Sequence, residues 1–225
     1  MALILSIESS TEVCSVAIAR DGEVVALRES VEGRDHSRLL AVFVDEVLRE
    51  SGVEARQLDA VAVSKGPGSY TGLRIGVSLA KGLCYGVKIP LIGVGSLEAL
   101  TAMAVAQGVS QGARLVPMID ARRMEVYTQT FSCDGVAEGD IEAKVIDEES
   151  FAEYREGGVV IFGDGAAKCR EVLPWVMMVE IAPSASGVAM VAEGKFARQE
   201  WEDVAYFEPF YLKDVVITQS KKRYF

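Results

Sequence analysis

Short apolar runs alternate with helix-length segments along this chain, and the pattern starts twice. "LILSIESS" has the length and apolar content of a buried strand. "EVCSVAIARDGEVVALRES" follows as two β-rich runs around Asp21-Gly22, a strong hairpin signal. "HSRLLAVFVDEVLRESG" has helical periodicity and stops at Gly52. Then come the strand "AVAVS", a glycine-rich turn, a helix from about Gly72 to Tyr85, the strand "IPLIGV" and the helix "SLEALTAMAVAQ". At "RLVPMIDARRMEVYTQTFSCDG" the chain opens again with strands, read as a hairpin turning near Asp120 and closing at Asp134-Gly135. "GVVIFGDGAAKCREVL" reads as strand, glycine turn and helix, and "SASGVAMVAEGKFA" as a last helix. Strand–helix–strand crossovers imply parallel pairing in an α/β sheet. The polar stretch "AQGVSQGAR" is the natural junction, dividing the chain into 1–106 and 107–225.

Composition narrows the class. With 225 residues, half of them hydrophobic, the chain can bury roughly 70% of its unfolded surface. No apolar run reaches the ~18 residues that cross a bilayer. "MALILSIESS" lacks a basic n-region and a small-residue cleavage site, so it reads as a strand rather than a signal peptide. Four scattered cysteines without a CxxC fit a reducing cytoplasm. The single histidine, His36, rules out a two-histidine metal site from this chain alone. A net charge of −10 opposes direct binding to a phosphate backbone, so nucleic acid would need cations from another subunit.

The densest chemistry is "GPGSYTGLR", Gly66 to Arg74, between a strand and a helix. Position 71 is Thr, and no Lys-Ser/Thr follows, so neither the P-loop nor the dinucleotide fingerprint is met. Ser69 directly follows Gly68, so the GxSxG elbow fails as well. Ser69 or Thr71 can cap the helix that follows. Arg74 in its first turn opposes the helix dipole and calls for a nearby anion, such as Glu8, Asp120 or a ligand. "IESST", with Glu8 and Ser9, can position phosphate or Mg²⁺, or it is ordinary Ser/Thr turn chemistry. His36 reads as a surface or capping residue.

Two helices carry the remaining signal. Residues 37–51 have a wider apolar arc than one sheet requires, with Val47 inward and Leu39 and Phe43 on a flank. The next helix has Gly72, Gly76 and Ala80 at spacing four, and Ser78, Gly82 and Gly86 likewise. Glycine inside a helix costs about 1 kcal/mol against alanine. Such rows point to close backbone approach, to this chain's own elements or to a partner's helix.

These segments, with "ILSIESSTEVCSVAIARDG", "IPLIGVGSLEAL", "MIDARRMEVY" and "EPFYLKD", resemble the TsaB family, also called YeaZ, over nearly the whole chain. The resemblance implies an actin-like ASKHA (ribonuclease H-like) fold of two related α/β subdomains with mixed sheets. It implies a role in making N6-threonylcarbamoyladenosine at position 37 of tRNAs reading ANN codons, with threonylcarbamoyl-AMP as donor. TsaB-like chains act there as scaffolds beside a catalytic TsaD-like subunit and a TsaE-like ATPase, and tRNA is reached only through the complex. The catalytic paralogue carries a metal-binding HxxxH, and the matching positions here are Ser96 and Leu100. Neither side chain can replace an imidazole.

The resemblance therefore implies a non-catalytic subunit without a metal of its own, and it leaves open weak ATP or ADP binding at Glu8, Ser9, Gly66, Gly68, Ser69, Thr71, Gly72 and Arg74. It also implies a homodimer or partner surface on the helix pair, at Leu39, Phe43, Val47, Gly72, Gly76 and Ala80. The rival readings are an autonomous phosphotransferase using Glu8 and the glycine loop, and a peptidase, as the family's old glycoprotease label suggests. The peptidase lacks a nucleophile–histidine pair.

Overall fold

The computed structural model describes residues 2–31 and 35–213. The first sheet contains β1 (Leu3–Glu8), β2 (Cys14–Arg20), β3 (Glu23–Ser30), β4 (Ala60–Gly66) and β5 (Leu91–Gly95), in the order β3-β2-β1-β4-β5. The first three form an antiparallel meander, and β4 and β5 join in parallel. The expected hairpin turns at Asp21 and Gly22, both with positive φ, as a tight turn between right-twisted strands requires. Helix α1 (His36–Ser51) crosses from β3 to β4 and ends on left-handed Gly52. Helix α2 (Tyr70–Val87) crosses from β4 to β5.

The second sheet repeats this plan. Its strands are β6 (Arg114–Asp120), β7 (Glu125–Thr128), β8 (Glu142–Val145), β9 (Val159–Phe162) and β10 (Met177–Met178), in the order β10-β9-β6-β7-β8. Again three strands form an antiparallel meander and two join in parallel.

Two expectations for this half are corrected. The Asp134-Gly135 turn does not close the β6–β7 hairpin, which turns at residues 121–124. It belongs instead to an excursion in which Phe131 bridges Leu115 and Ala137, and the chain then adds β8, which the sequence reading does not foresee. The helix expected after "GDG" is only a 3₁₀ turn at Ala167–Cys169. Pro174 leaves too few residues to offset the cost of helix nucleation.

Helices α1 and α2 cover one face of the first sheet, where Leu40, Val44, Val47, Val77 and Ala80 meet Leu5, Ile7, Val61 and Val63. On the other face, Ile4, Ala62, Ile92 and Val94 pack against α3 (Ser96–Ala106) and α4 (Ala185–Ala197). Helix α3 also buries Leu97, Leu100 and Ala104 against Leu115, Ile119, Val160 and Phe162 of the second sheet. It is apolar on nearly all sides because it lies between two cores. All strands of the second sheet come after residue 106, but α4 and the segment behind it return to the first. Glu202 bridges Leu91, and the Phe210 amide donates to the Lys65 carbonyl at 2.7 Å. No helix among the described residues is long and apolar enough to cross a membrane.

Candidate functional site

Strand β1 ends in Glu8, which is 1% exposed although it is a carboxyl group. Its Oε1 accepts the Ser10 amide at 2.6 Å. The Ser9 amide donates to Ser64 Oγ at 3.2 Å. Burial pushes the Glu8 pKa up, opposed by hydrogen bonds from Ser10, Ser64 and Ser9. Glu8 Oε2 and the hydroxyls of Ser6, Ser9 and Ser10 are buried without a partner among the described residues.

The glycine-rich segment folds directly onto this turn. The Ser69 amide donates to the Ser10 carbonyl at 2.6 Å. Ser69 is the N-cap of α2, and its Oγ accepts the Gly72 amide at 3.3 Å. A Cβ at 68 would run into the Ser10 carbonyl, one at 72 into the Ser9 carbonyl, and one at 76 into Ser9 Oγ. At Gly66, with φ +112°, a Cβ would lie 2.5 Å from the Phe210 carbonyl oxygen. The glycines let two stretches of backbone touch. The amides of Ser9, Ser10, Ser69 and Gly72, which could cradle a phosphate, are all committed to groups of this chain.

Arg74 does not reach Glu8 or Asp120. Its guanidinium donates to the Tyr70 hydroxyl at 2.9 Å and sits 5.4 Å from that ring's centroid. Tyr70 in turn packs on Tyr211, with centroids 4.7 Å apart. An aromatic face, rather than a carboxylate of Glu8 or Asp120, answers the misplaced cation. Thr71 is exposed and does not cap.

The expected interface residues divide. Val47, Gly72, Gly76 and Ala80 are buried inside this chain, where α1 and α2 seat on β1 and β4, so they cannot form a surface. Leu39 and Phe43 are half-buried on the flank of α1 that faces β3. Phe43 and Leu39 line a cavity with Cys14, Glu29 and Ser30, and Arg28 of β3 pairs with Glu46 and Glu50 farther along the same flank. The outer face belongs to other residues. Gly82 and Gly86 have open space where a Cβ would stand. Ser78 is exposed beside them, with Tyr85 82% and Val42 47% exposed.

Ser96 opens α3 and Leu100 lies one turn on, at 1% and 0% exposure. Leu100 is part of the apolar cluster between the two sheets, where an imidazole would lack polar neighbours. His36 is buried rather than superficial, with Nε2 3.2 Å from the Val13 carbonyl oxygen.

Sequence reasoning misses two further groupings. Glu29 Oε1 accepts from Ser15 Oγ at 2.8 Å and from Ser184 Oγ at 2.6 Å, tying β2, β3 and the start of α4 together. Asp120 pairs with Lys168, and its amide donates to Asp164 Oδ1 at 3.3 Å. Desolvation and the Asp120 charge push the Asp164 pKa up to about 6, although part of the residue meets solvent. The "GDG" spacing is the sequence signal for the second grouping. The first joins residues 155 apart and has no local signal.

Comparison with known proteins adds three findings. The family model for TsaD, tRNA N6-adenosine threonylcarbamoyltransferase, matches residues 29–218. The tRNA threonylcarbamoyladenosine biosynthesis protein TsaB of Escherichia coli (strain K12) is 34% identical over 226 residues, covering 95% of each chain. Among solved structures, YeaZ from Pseudomonas aeruginosa superposes with a TM-score of 0.82 at 28% identity, covering 94% of this chain and all of that one. At 10% identity, the activator of the 2-hydroxyisocaproyl-CoA dehydratase from Clostridium difficile shares the fold with a TM-score of 0.53, over 89% of this chain and 98% of that one.

Proposed function

The chain belongs to the TsaB family of tRNA threonylcarbamoyladenosine biosynthesis proteins and has its actin-like ASKHA fold, and from that membership we propose that it is a non-catalytic scaffold which holds a TsaD-like catalytic subunit. The observation that carries this reading is the pair Ser96 and Leu100. They stand where the resemblance puts the paralogue's metal-binding histidines, and here both are buried, Leu100 in the apolar cluster between the two sheets. The glycine turn supports it too, because its Ser69 amide is given to the Ser10 carbonyl and the space at Gly68, Gly72 and Gly76 is filled by Ser9 and Ser10.

The working surface in this reading is the outer face of α1 and α2: Val42, Ser78, Gly82, Tyr85 and Gly86. Glycines open to solvent in a helix weaken it without any gain inside the chain. A partner's helix approaching closely supplies the gain. Two copies can meet through this face about a two-fold axis, and the TsaD-like paralogue competes for it. A TsaE-like ATPase joins the assembly, which works in the cytoplasm, and tRNA reaches this chain only there. The excess of carboxylates fits that division, since phosphate contacts need cations.

Reconstitution tests the proposal. Given tRNA and threonylcarbamoyl-AMP, this chain alone is expected to form no modified nucleoside by mass spectrometry. Addition of the TsaD-like and TsaE-like subunits should restore formation, and omission of this chain should abolish it. Turnover by the single chain would overturn the scaffold reading.

A further inference from the structure

Glu8 is a carboxyl group sealed inside the protein, with no cation to answer it among the described residues. Each element packed around it contributes neutral groups. Strand β4 offers the Ser64 hydroxyl, and the following turn offers Ser9 and Ser10. Across the ladder on β2 stands Ser15, whose hydroxyl is already given to Glu29 of β3. The first residues of α4 bond to that same pair, through Ser184 to Glu29 and through the Ala185 amide to Ser15. The nearest charge in this network, Glu29, is itself an anion. Arg74 of α2 is exposed and bound to Tyr70. Among the described residues, the Ser10 amide bond and the neighbouring Ser64 and Ser9 groups favour ionisation, and burial outweighs them.

The same carboxyl lies at the root of the connection to α2. Its Oε1 holds the Ser10 amide, the Ser10 carbonyl holds the Ser69 amide, and Ser69 caps the helix. Gly72 and Gly76 lie against Ser9 with no room for even a methyl group. Water can therefore reach an ionised Glu8 only if the Ser9–Ser10 turn lifts, and the turn can lift only together with the first turns of α2.

We propose that Glu8 is a proton-operated latch for α2. With its proton in place, the Ser9–Ser10 turn seats the helix N-terminus. When the proton leaves to solvent, turn and helix end lift together and admit water. The inference rests on the geometry of the turn and holds whether or not the chain is a scaffold.

Amide hydrogen exchange of the full chain between pH 4 and 9, corrected for intrinsic exchange, reads the latch at Ser10, Ser69 and Leu73. Opening is expected to rise by up to tenfold per pH unit above the ordinary carboxylate value of 4.5 and to level off once pH exceeds the raised pKa of the latched Glu8. The Leu115 amide, held by Phe131 at 3.0 Å in the second sheet, should show no such rise. Glu8→Gln keeps the shape with no proton to lose, and its amides should be independent of pH. The carboxyl carbon resonance of Glu8 in the unaltered protein gives a second readout that needs no variant to fold. Titration well above the ordinary 4.5 supports the latch, and titration at or below it overturns the proposal. Amides that stay flat across the whole range from pH 4 to 9 in the unaltered protein, or an equal slope in Glu8→Gln, would also overturn it.

Discussion

Helix α2 carries two rows of small residues four apart, and they meet opposite surroundings. Gly72, Gly76 and Ala80 are buried, with both glycines pressed on Ser9. Ser78, Gly82 and Gly86 are exposed, and a Cβ at either glycine would meet nothing within 4 Å among the described residues. Equal spacing thus has two different causes. The inner row satisfies a contact within this chain. The outer row has no intramolecular reason, so it is the row that speaks of a partner.

The largest effect is expected on the inner row. Gly72→Ala forces a methyl group into the Ser9 carbonyl, a backbone atom that cannot rotate away. Overpacking of this kind costs about 3 kcal/mol or more when the backbone must move. Urea denaturation should show that loss, with weaker partner capture following from the displaced helix. Stability equal to the unaltered protein would mean that the close approach is not what the glycine is for.

The outer row should respond with the opposite pattern, and a pair of variants at one position sharpens it. Gly82→Arg places a charge on an open surface, so the free chain should keep its fold. In a helix–helix contact that charge would be desolvated without a partner. Association with a second copy and with the TsaD-like subunit should weaken about a hundredfold, roughly 2.7 kcal/mol. Gly82→Ala removes the helix penalty and should stabilise the free chain by about 1 kcal/mol. Sedimentation and thermal unfolding of both variants decide the matter. A Gly82→Arg chain that still dimerises and still captures its partner removes this face from the proposed function.

This division of rows marks how far the sequence alone can go. Strand–helix alternation, the Asp21-Gly22 hairpin and the stop at Gly52 are local, and each is legible because a few adjacent residues decide it. Which glycine row faces inward is not local, because it depends on where the Ser9–Ser10 turn sits when α2 docks. On α1 the apolar arc already tells the inward Val47 from the flanking Leu39, but that this flank turns toward β3 depends on the packed sheet. In the second half, short strands such as β8 and β10 have too few residues to show a period. The run after "GDG" has helical composition, but Pro174 cuts it short. That Ser96 and Leu100 occupy the positions where the resemblance puts metal-binding histidines is fully legible, because it concerns residue identity rather than placement.

Arg74 offers the smallest and most discriminating effect, since it stands at the end of α2 where the two rows begin. A cation there opposes the helix dipole by a few tenths of a kcal/mol. Its contact with the Tyr70 ring and hydroxyl returns a similar amount at an exposed site. Arg74→Ala removes both, so unfolding free energy should move by less than about 0.5 kcal/mol. Were the glycine turn a phosphate cradle, this guanidinium would be the obvious counter-charge, and its loss would weaken nucleotide binding measurably. With the Ser69 amide committed to Ser10 and the Gly72 amide to Ser69, calorimetry should record the same weak or absent ATP heat for both proteins. A clear drop in ATP affinity on Arg74→Ala would return the turn to the nucleotide-binding class and reopen the phosphotransferase reading. It would also mean that the inner glycines make room for a ligand as well as for Ser9.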